Sequence, residues 1–509
     1  MPAYHHPPAH RLTVPLVLLL LTAGGLVLTS IRSYPTPQTI NDTLQKVLDR
    51  PTQTSLNDLF DTIGSHPDRE STADYNYCQA RRPDTETYPY PKDKDAKLVN
   101  SQLFVRHGDR TPITVLPLDL DLTWECANLS AFSFTGPATD QDEKSPFRYA
   151  NVVTHQVVTI PPQSPWTHQM WHGSCITGQL TPLGAWQHRV LGAALRDLYV
   201  DHLRFLPPTF DPETVYIRST DVWRTKQSAE NLMAGLYGNQ KTAKSSDDDT
   251  VAPPPVLQIH TLPVEMDYLT MNGGACPRMN QLRSQIEKAS PVMKKLYEDN
   301  VDFNNELKTL LGAERTWSGY MDTIMPRVCH GKPLQCRRSD DGDDDDDEKE
   351  ECVTLDTASK ILDNVATQTT EMYRDAEGIF EVLQLGIGPL AQEIKRNLVA
   401  AKDGATKVLL NLYSGHDTTL SPLLGMLDSA DMRWPPYASN MLVELWKSGS
   451  GEHFVRVIYN HKVVETKSKW CDLSWCPLDK FTAHLDRFYV SDLLKECQKQ
   501  DLKHGKKIE

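Results

Sequence analysis

The hydrophobic pattern divides the chain into short apolar runs, each leading straight into a polar turn. Leu103 to Val105 is such a run, with a branched residue, and has the pattern of a buried strand; it breaks at Gly108 and cannot continue past Pro112. Val215 to Ile217 and Val408 to Tyr413 repeat that pattern, and Val256 to Tyr268 predicts a further strand-like segment. Helical spacing fills the intervals. Thr181 is a good N-cap with Pro182 at the first helical position, and Leu183, Val190, Leu191, Ala194, Leu195 and Leu198 then share one face. Ser219 or Thr220 is placed to cap a helix carrying Ala229, Leu232, Met233 and Leu236. Further helical patterns cover 282–311, 355–373 and 389–398, the last with Gly404 available as a stop. Strands alternating with helices predict an α/β protein.

One stretch departs from this scheme. Leu12 to Ile31 is uncharged, flanked by Arg11 and Arg32, and long enough to span a bilayer as a helix. Ala23-Gly24-Gly25 lies inside the apolar run rather than after it, which favours an uncleaved anchor over a removed signal peptide; cleavage would give a secreted form. The expected organisation is a cytosolic tail (1–11), a transmembrane signal anchor (12–31) and a Pro- and Asp-rich stem (32–97). An α/β domain (98–272 and 375–509) then encloses a helical insert (273–374). All ten cysteines and two glycosylation sequons, at Asn41 and Asn128, follow the anchor. The even cysteine count suits disulfides, and the spacings lack the pairing of a zinc site. A single-pass type II membrane protein with its bulk in the Golgi or secretory lumen is therefore expected.

Charge narrows the partners. The 509 residues carry a formal charge of −14, against a nucleic-acid binder. Much of it sits in the low-complexity run 339–351, which holds seven Asp, three Glu and one Lys. That run lacks the ligand spacing of an EF-hand and is expected to be a solvated loop. The polar segment 239–255, with its three prolines, is expected to be another surface loop.

The turns after the three strands carry the chemistry. Arg106-His107-Gly108-Asp109-Arg110-Thr111-Pro112 places two guanidiniums either side of an imidazole; the arginines can fork onto phosphoryl oxygens and the imidazole can attack phosphorus. Gly108 is expected to let the backbone approach a ligand. Arg218-Ser-Thr-Asp221-Val-Trp-Arg224 joins a strand end to a helix N-terminus with two more arginines, another anion site. Ser414-Gly415-His416-Asp417 adds an imidazole and a carboxylic acid. His188, on the first long helix, is expected to be structural.

Together these blocks resemble the histidine acid phosphatases, the two-domain branch of the histidine phosphatase superfamily. The resemblance covers roughly residues 100–500 and includes Gly178-Gln-Leu-Thr-Pro-Leu-Gly184 and Pro435-Pro-Tyr-Ala-Ser439. It implies a three-layer α/β sandwich around a mostly parallel sheet. It also implies a phosphohistidine on His107, a general acid at Asp417 kept protonated by acidic surroundings, and phosphate ligands Arg106, Arg110, Arg224 and His416. Arg218 matches no phosphate ligand, and Trp223, where many relatives carry Asp, is expected to alter the pocket wall. The implied disulfides are Cys471–Cys476 and Cys276–Cys497. A third family pair is missing, because Asn440 stands where the partner of Cys329 belongs; Cys329 is expected to pair locally with Cys336 or Cys352. No cofactor or metal is implied. The expected activity is hydrolysis of small-molecule or glycan phosphomonoesters. Alternatives are a narrow phosphosugar phosphatase, like Golgi-resident members sharing the anchored layout, a phytase, or a pseudoenzyme that only binds phosphorylated ligands.

Overall fold

The computed structural model describes residues 75–116, 119, 122–126, 131–137, 147–155, 171–238, 257–338 and 350–499. The expected anchor, both sequons, the loop 239–255 and residues 339–349 of the acidic run lie outside them. Among the described residues no helix is long and apolar enough to cross a membrane.

Five strands make the body of the main sheet: β1 (Lys97–Arg106), β2 (Val215–Ser219), β3 (Leu410–Gly415), β4 (Asn440–Lys447) and β5 (His453–Tyr459). Their spatial order is β5-β4-β1-β3-β2, extended at the β5 edge by two short strands. The three strands that carry the motifs run parallel; β4 and β5 continue the sheet antiparallel. Parallel character is thus concentrated where ligands bind in such sheets, beyond the carboxyl ends of the strands. Register brings those ends level: Arg106 pairs with Gly415, and Ser219 with Ser414. This is how motifs hundreds of residues apart meet.

β1 is covered on both faces, which explains its continuous apolar run. Leu103 and Val105 pack with Ile217 and Leu412 beneath helices α1 (Pro182–Leu195) and α2 (Trp223–Tyr237). Phe104 stacks on Tyr413 on the other face, at 4.7 Å between ring centres. That face shares one hydrophobic cluster with α3 (Trp317–Cys329), α4 (Ile379–Lys402), α5 (Asp417–Met426) and the helices Pro277–Ala289, Val301–Leu311 and Leu355–Thr370.

Several expectations need correction. α4 begins ten residues before Pro389 and carries that proline in its interior. The described part of Val256–Tyr268 is no strand: it makes one bridge, Arg218 to His260, and a 3-10 turn at Val264–Met266. α2 starts at Trp223 without a side-chain cap, so neither Ser219 nor Thr220 serves it. The stem boundary at 97 is also too late. Tyr77, Cys78 and Tyr88 are buried, and the Tyr88 hydroxyl donates to Glu444 at 2.6 Å.

Cys276–Cys497 and Cys471–Cys476 are bonded, as are Cys126–Cys175 and Cys336–Cys352. Cys329 pairs with Cys78, 251 residues away, and not locally. The segment before β1 thus supplies the second thiol. Five disulfides and no free cysteine place the fold in an oxidising compartment.

Candidate active site

At the end of β1 the loop is held from three sides. The His107 backbone N–H donates to Gly415 O at 3.0 Å, fixing it to β3. The Gly108 N–H donates to Ser228 Oγ at 3.1 Å, and that hydroxyl donates to Arg224 O at 2.7 Å, fixing it to α2. The first turn of α1 closes the third side: a Cβ on Gly108 would lie 2.3 Å from Gly184 O. Gly108 therefore serves helix packing rather than ligand approach. Gly108→Ala is expected to cost about 1–3 kcal/mol or more, because backbone would have to move. A lowered urea midpoint checks this; an unchanged midpoint would contradict the packing.

His107 is buried with its Nδ1 at 2.8 Å from Gly108 O. A carbonyl only accepts, so Nδ1 carries the proton and the Nε2 lone pair is free for attack. Burial, then the positive charges of Arg224, Arg106 and Arg110, hold its pKa well below that of ordinary histidine. The imidazole stays neutral in mild acid.

Each arginine is oriented differently. Arg106 donates to Pro435 O at 2.6 Å, pairs with Asp417 at 3.1 Å, and lies under the ring of Tyr437, 4.2 Å from its centre. Arg110 pairs with Asp322 on α3 at 2.5 Å. Arg224 has no carboxylate partner within ion-pair distance among the described residues; its guanidinium contacts His416 Nδ1 at 3.4 Å. Burial and the adjacent Arg110 push its pKa down to about 10. Its charge is the unmatched one. Arg218 points elsewhere, bonded to Asp267 at 2.9 Å and Glu393 at 2.6 Å.

His416 and Asp417 join β3 to α5. His416 Nε2 lies 2.9 Å from Thr220 Oγ1, and burial followed by Arg224 lowers its pKa to about 3. Its ring centre is 5.6 Å from that of His107. Asp417 differs from expectation: its surroundings are basic. Burial alone would raise its pKa, but Arg106, Arg110 and His416 outweigh burial and lower it. The resting acid is ionised.

The structure thus brings Arg106, His107, Arg110, Arg224, His416 and Asp417 together. Sequence reasoning missed the residues that hold them. Asp322 and Tyr77 belong to segments without a motif, although Pro435-Pro-Tyr-Ala-Ser439 pointed at Tyr437. His188 lies beneath the loop, its Nε2 3.1 Å from Arg106 O. Trp223 is partly exposed at the start of α2, beneath Lys226.

Comparison with known proteins agrees with this geometry. The model for the histidine phosphatase superfamily (branch 2) matches residues 97–460. Human lysophosphatidic acid phosphatase type 6 is 29% identical over 404 residues, covering 78% of this chain and 84% of that protein. Bovine lysosomal acid phosphatase is 31% identical over 333 residues, covering 63% and 72%. Human 2-phosphoxylose phosphatase 1 is 25% identical over 410 residues, covering 77% and 78%. The chain belongs to branch 2 of the histidine phosphatase superfamily and is a phosphoric monoester hydrolase.

Proposed function

We propose that the chain hydrolyses phosphomonoesters by in-line transfer of the phosphoryl group to His107 Nε2, followed by attack of water on the phosphohistidine. The observation that carries this reading is the charge pattern around a neutral imidazole. Arg106 and Arg110 have carboxylate partners, whereas the half-buried Arg224 lies beside them without one among the described residues. The site is complementary to an anion that arrives between the three guanidiniums and His416. Spreading equatorial charge over such preorganised donors lowers the barrier to phosphoryl transfer.

The leaving oxygen needs a proton, and resting Asp417 has none. An ester monoanion, whose second pKa is about 6, brings it. As the phosphoryl group takes over Arg106, Asp417 loses its cationic partner and accepts that proton, then donates it to the departing oxygen. In the second step the same carboxylate takes a proton from the attacking water.

The two groups act in opposite directions, and only the ester titrates in the working range, because His107 would be protonated only below its depressed pKa. Below about 6 the ester carries its proton while His107, its pKa depressed, remains neutral; above it the proton is lost. kcat/KM should be high in acid and fall about tenfold per unit at alkaline pH. A panel of alkyl, sugar, lysophospholipid and inositol phosphates, assayed across pH with protein beginning after the apolar segment, tests this. An alkaline optimum, or binding without turnover, would contradict it.

The same reading places the domain in the secretory lumen, with 12–31 as a type II anchor and glycan phosphoesters within reach. The five disulfides support the lumenal side. The relative named for 2-phosphoxylose supports a phosphosugar leaving group.

A further inference from the structure

We propose that residues 75–81, which precede the family-matched region, are a strap that positions the phosphate-binding arginines, with Tyr77 as its positioning residue. The inference rests on the phosphatase reading above. The match to the superfamily begins at residue 97, yet Tyr77 sits inside the site. Its ring centre is 5.3 Å from the Arg106 guanidinium carbon, and Arg106 donates to its hydroxyl at 3.4 Å. Tyr437 covers the same guanidinium, and the two tyrosine rings meet edge to face at 5.1 Å. A guanidinium set against two buried aromatic rings that brace each other has few alternative orientations, and desolvation strengthens each cation–π contact.

The strap is anchored on every side to groups that hold the catalytic loop. The Tyr437 N–H donates to Tyr77 O at 3.0 Å, and the Ala80 N–H to Tyr437 O at 2.8 Å. Gln187 bridges strap and loop: it donates to Cys78 O at 2.7 Å and accepts from the Asp109 N–H at 2.8 Å. The Cys78–Cys329 bond then ties the strap to the end of α3. The same helix presents Asp322, which holds Arg110 and accepts from the Ile113 N–H at 2.9 Å. His330, which follows Cys329, contacts Asp109 at 2.5 Å. One disulfide therefore links the element that sets Arg106 to the element that sets Arg110. Releasing it frees the two arginines to adjust independently, and bidentate recognition of phosphate depends on their mutual geometry.

A positioning role and a merely structural one part company in the affinity for phosphate. The measurement is the competitive Ki of inorganic phosphate, and kcat and KM per site titrated by the phosphoenzyme burst, on folded full-length protein. Tyr77→Leu should raise Ki and KM together by about tenfold, with kcat per site changed much less. Tyr77→Phe, which keeps the ring and loses only the long hydrogen bond, should stay close to wild type. Cys78→Ser with Cys329→Ser should shift Ki in the same direction as Tyr77→Leu. Tyr88→Phe is the control, because Tyr88 belongs to the same N-terminal segment but bonds to Glu444, far along β4 from Arg106; it should lower stability and leave Ki alone. Unchanged Ki in folded Tyr77→Leu would overturn the strap. If Tyr77→Leu does not fold, unchanged Ki in the double cysteine variant would do so. A wild-type protein that binds no phosphate would overturn the phosphatase reading and the strap with it. Binding by wild type with no change in the variants would overturn the strap alone.

Discussion

His107→Ala is expected to lower kcat by about 10⁴-fold or more, the scale on which loss of a covalent nucleophile acts, while inorganic phosphate still binds. The two halves of this expectation come from separate parts of the site. Attack needs an unprotonated ring nitrogen, and His107 supplies one because Gly108 O holds the other nitrogen's proton. Binding needs the guanidiniums, and their holders do not involve the imidazole: Pro435 O and Asp417 for Arg106, Asp322 for Arg110. Removing the ring leaves these contacts in place. Turnover and phosphate inhibition measured on the same variant separate the two halves. Retention of a tenth or more of wild-type turnover would place the nucleophile elsewhere, and His416, 5.6 Å away between ring centres, would be the next candidate.

Asp417→Asn should divide substrates by leaving group. An alkyl or sugar phosphate expels a strongly basic oxygen and should slow by ~10²–10⁴-fold without the acid. An aryl phosphate with a low-pKa phenol needs little protonation and should be largely spared in the first step. The variant also removes the negative charge that competes with substrate for Arg106 at 3.1 Å, so phosphate should inhibit it more tightly than wild type. Slower turnover with stronger product binding would not follow from general damage to the fold. Equal slowing of both ester classes in single-turnover assays would remove Asp417 from the role of leaving-group acid.

How much of this was legible in the chain depends on where each group gets its order. Arg106, His107 and Arg110 follow an apolar strand, as do Arg224 and the His416–Asp417 pair, so strand pattern and polar turn together marked all six. The register that levels Arg106, Gly415 and Ser219 fits the strand–turn–helix repeat. The holders were illegible for a physical reason. Asp322 looks like surface charge on a helix, and only tertiary packing turns it onto Arg110. Residues 75–81 have no periodicity because backbone bonds to Tyr437 and a disulfide order them, not an apolar face. The local pairing expected of Cys329 rests on the absence of its family partner; the thiol it meets, Cys78, is 251 residues away. The charge state of Asp417 differs from what the resemblance implies because its neighbours come from other parts of the chain. The acidic residues of the composition are concentrated in a distant run, and what surrounds Asp417 is arginine.

The central claim is that phosphate passes through His107. Rapid quenching of wild-type enzyme with an aryl phosphate, followed by peptide mapping under alkaline conditions that preserve phosphohistidine, tests it most directly. The account predicts one phosphoryl group per active site on the peptide carrying His107, stable in base, lost in acid, and absent from His107→Ala. A phosphoryl group on His416, or full turnover with no trapped intermediate and inversion of configuration at a chiral phosphorus, would contradict it.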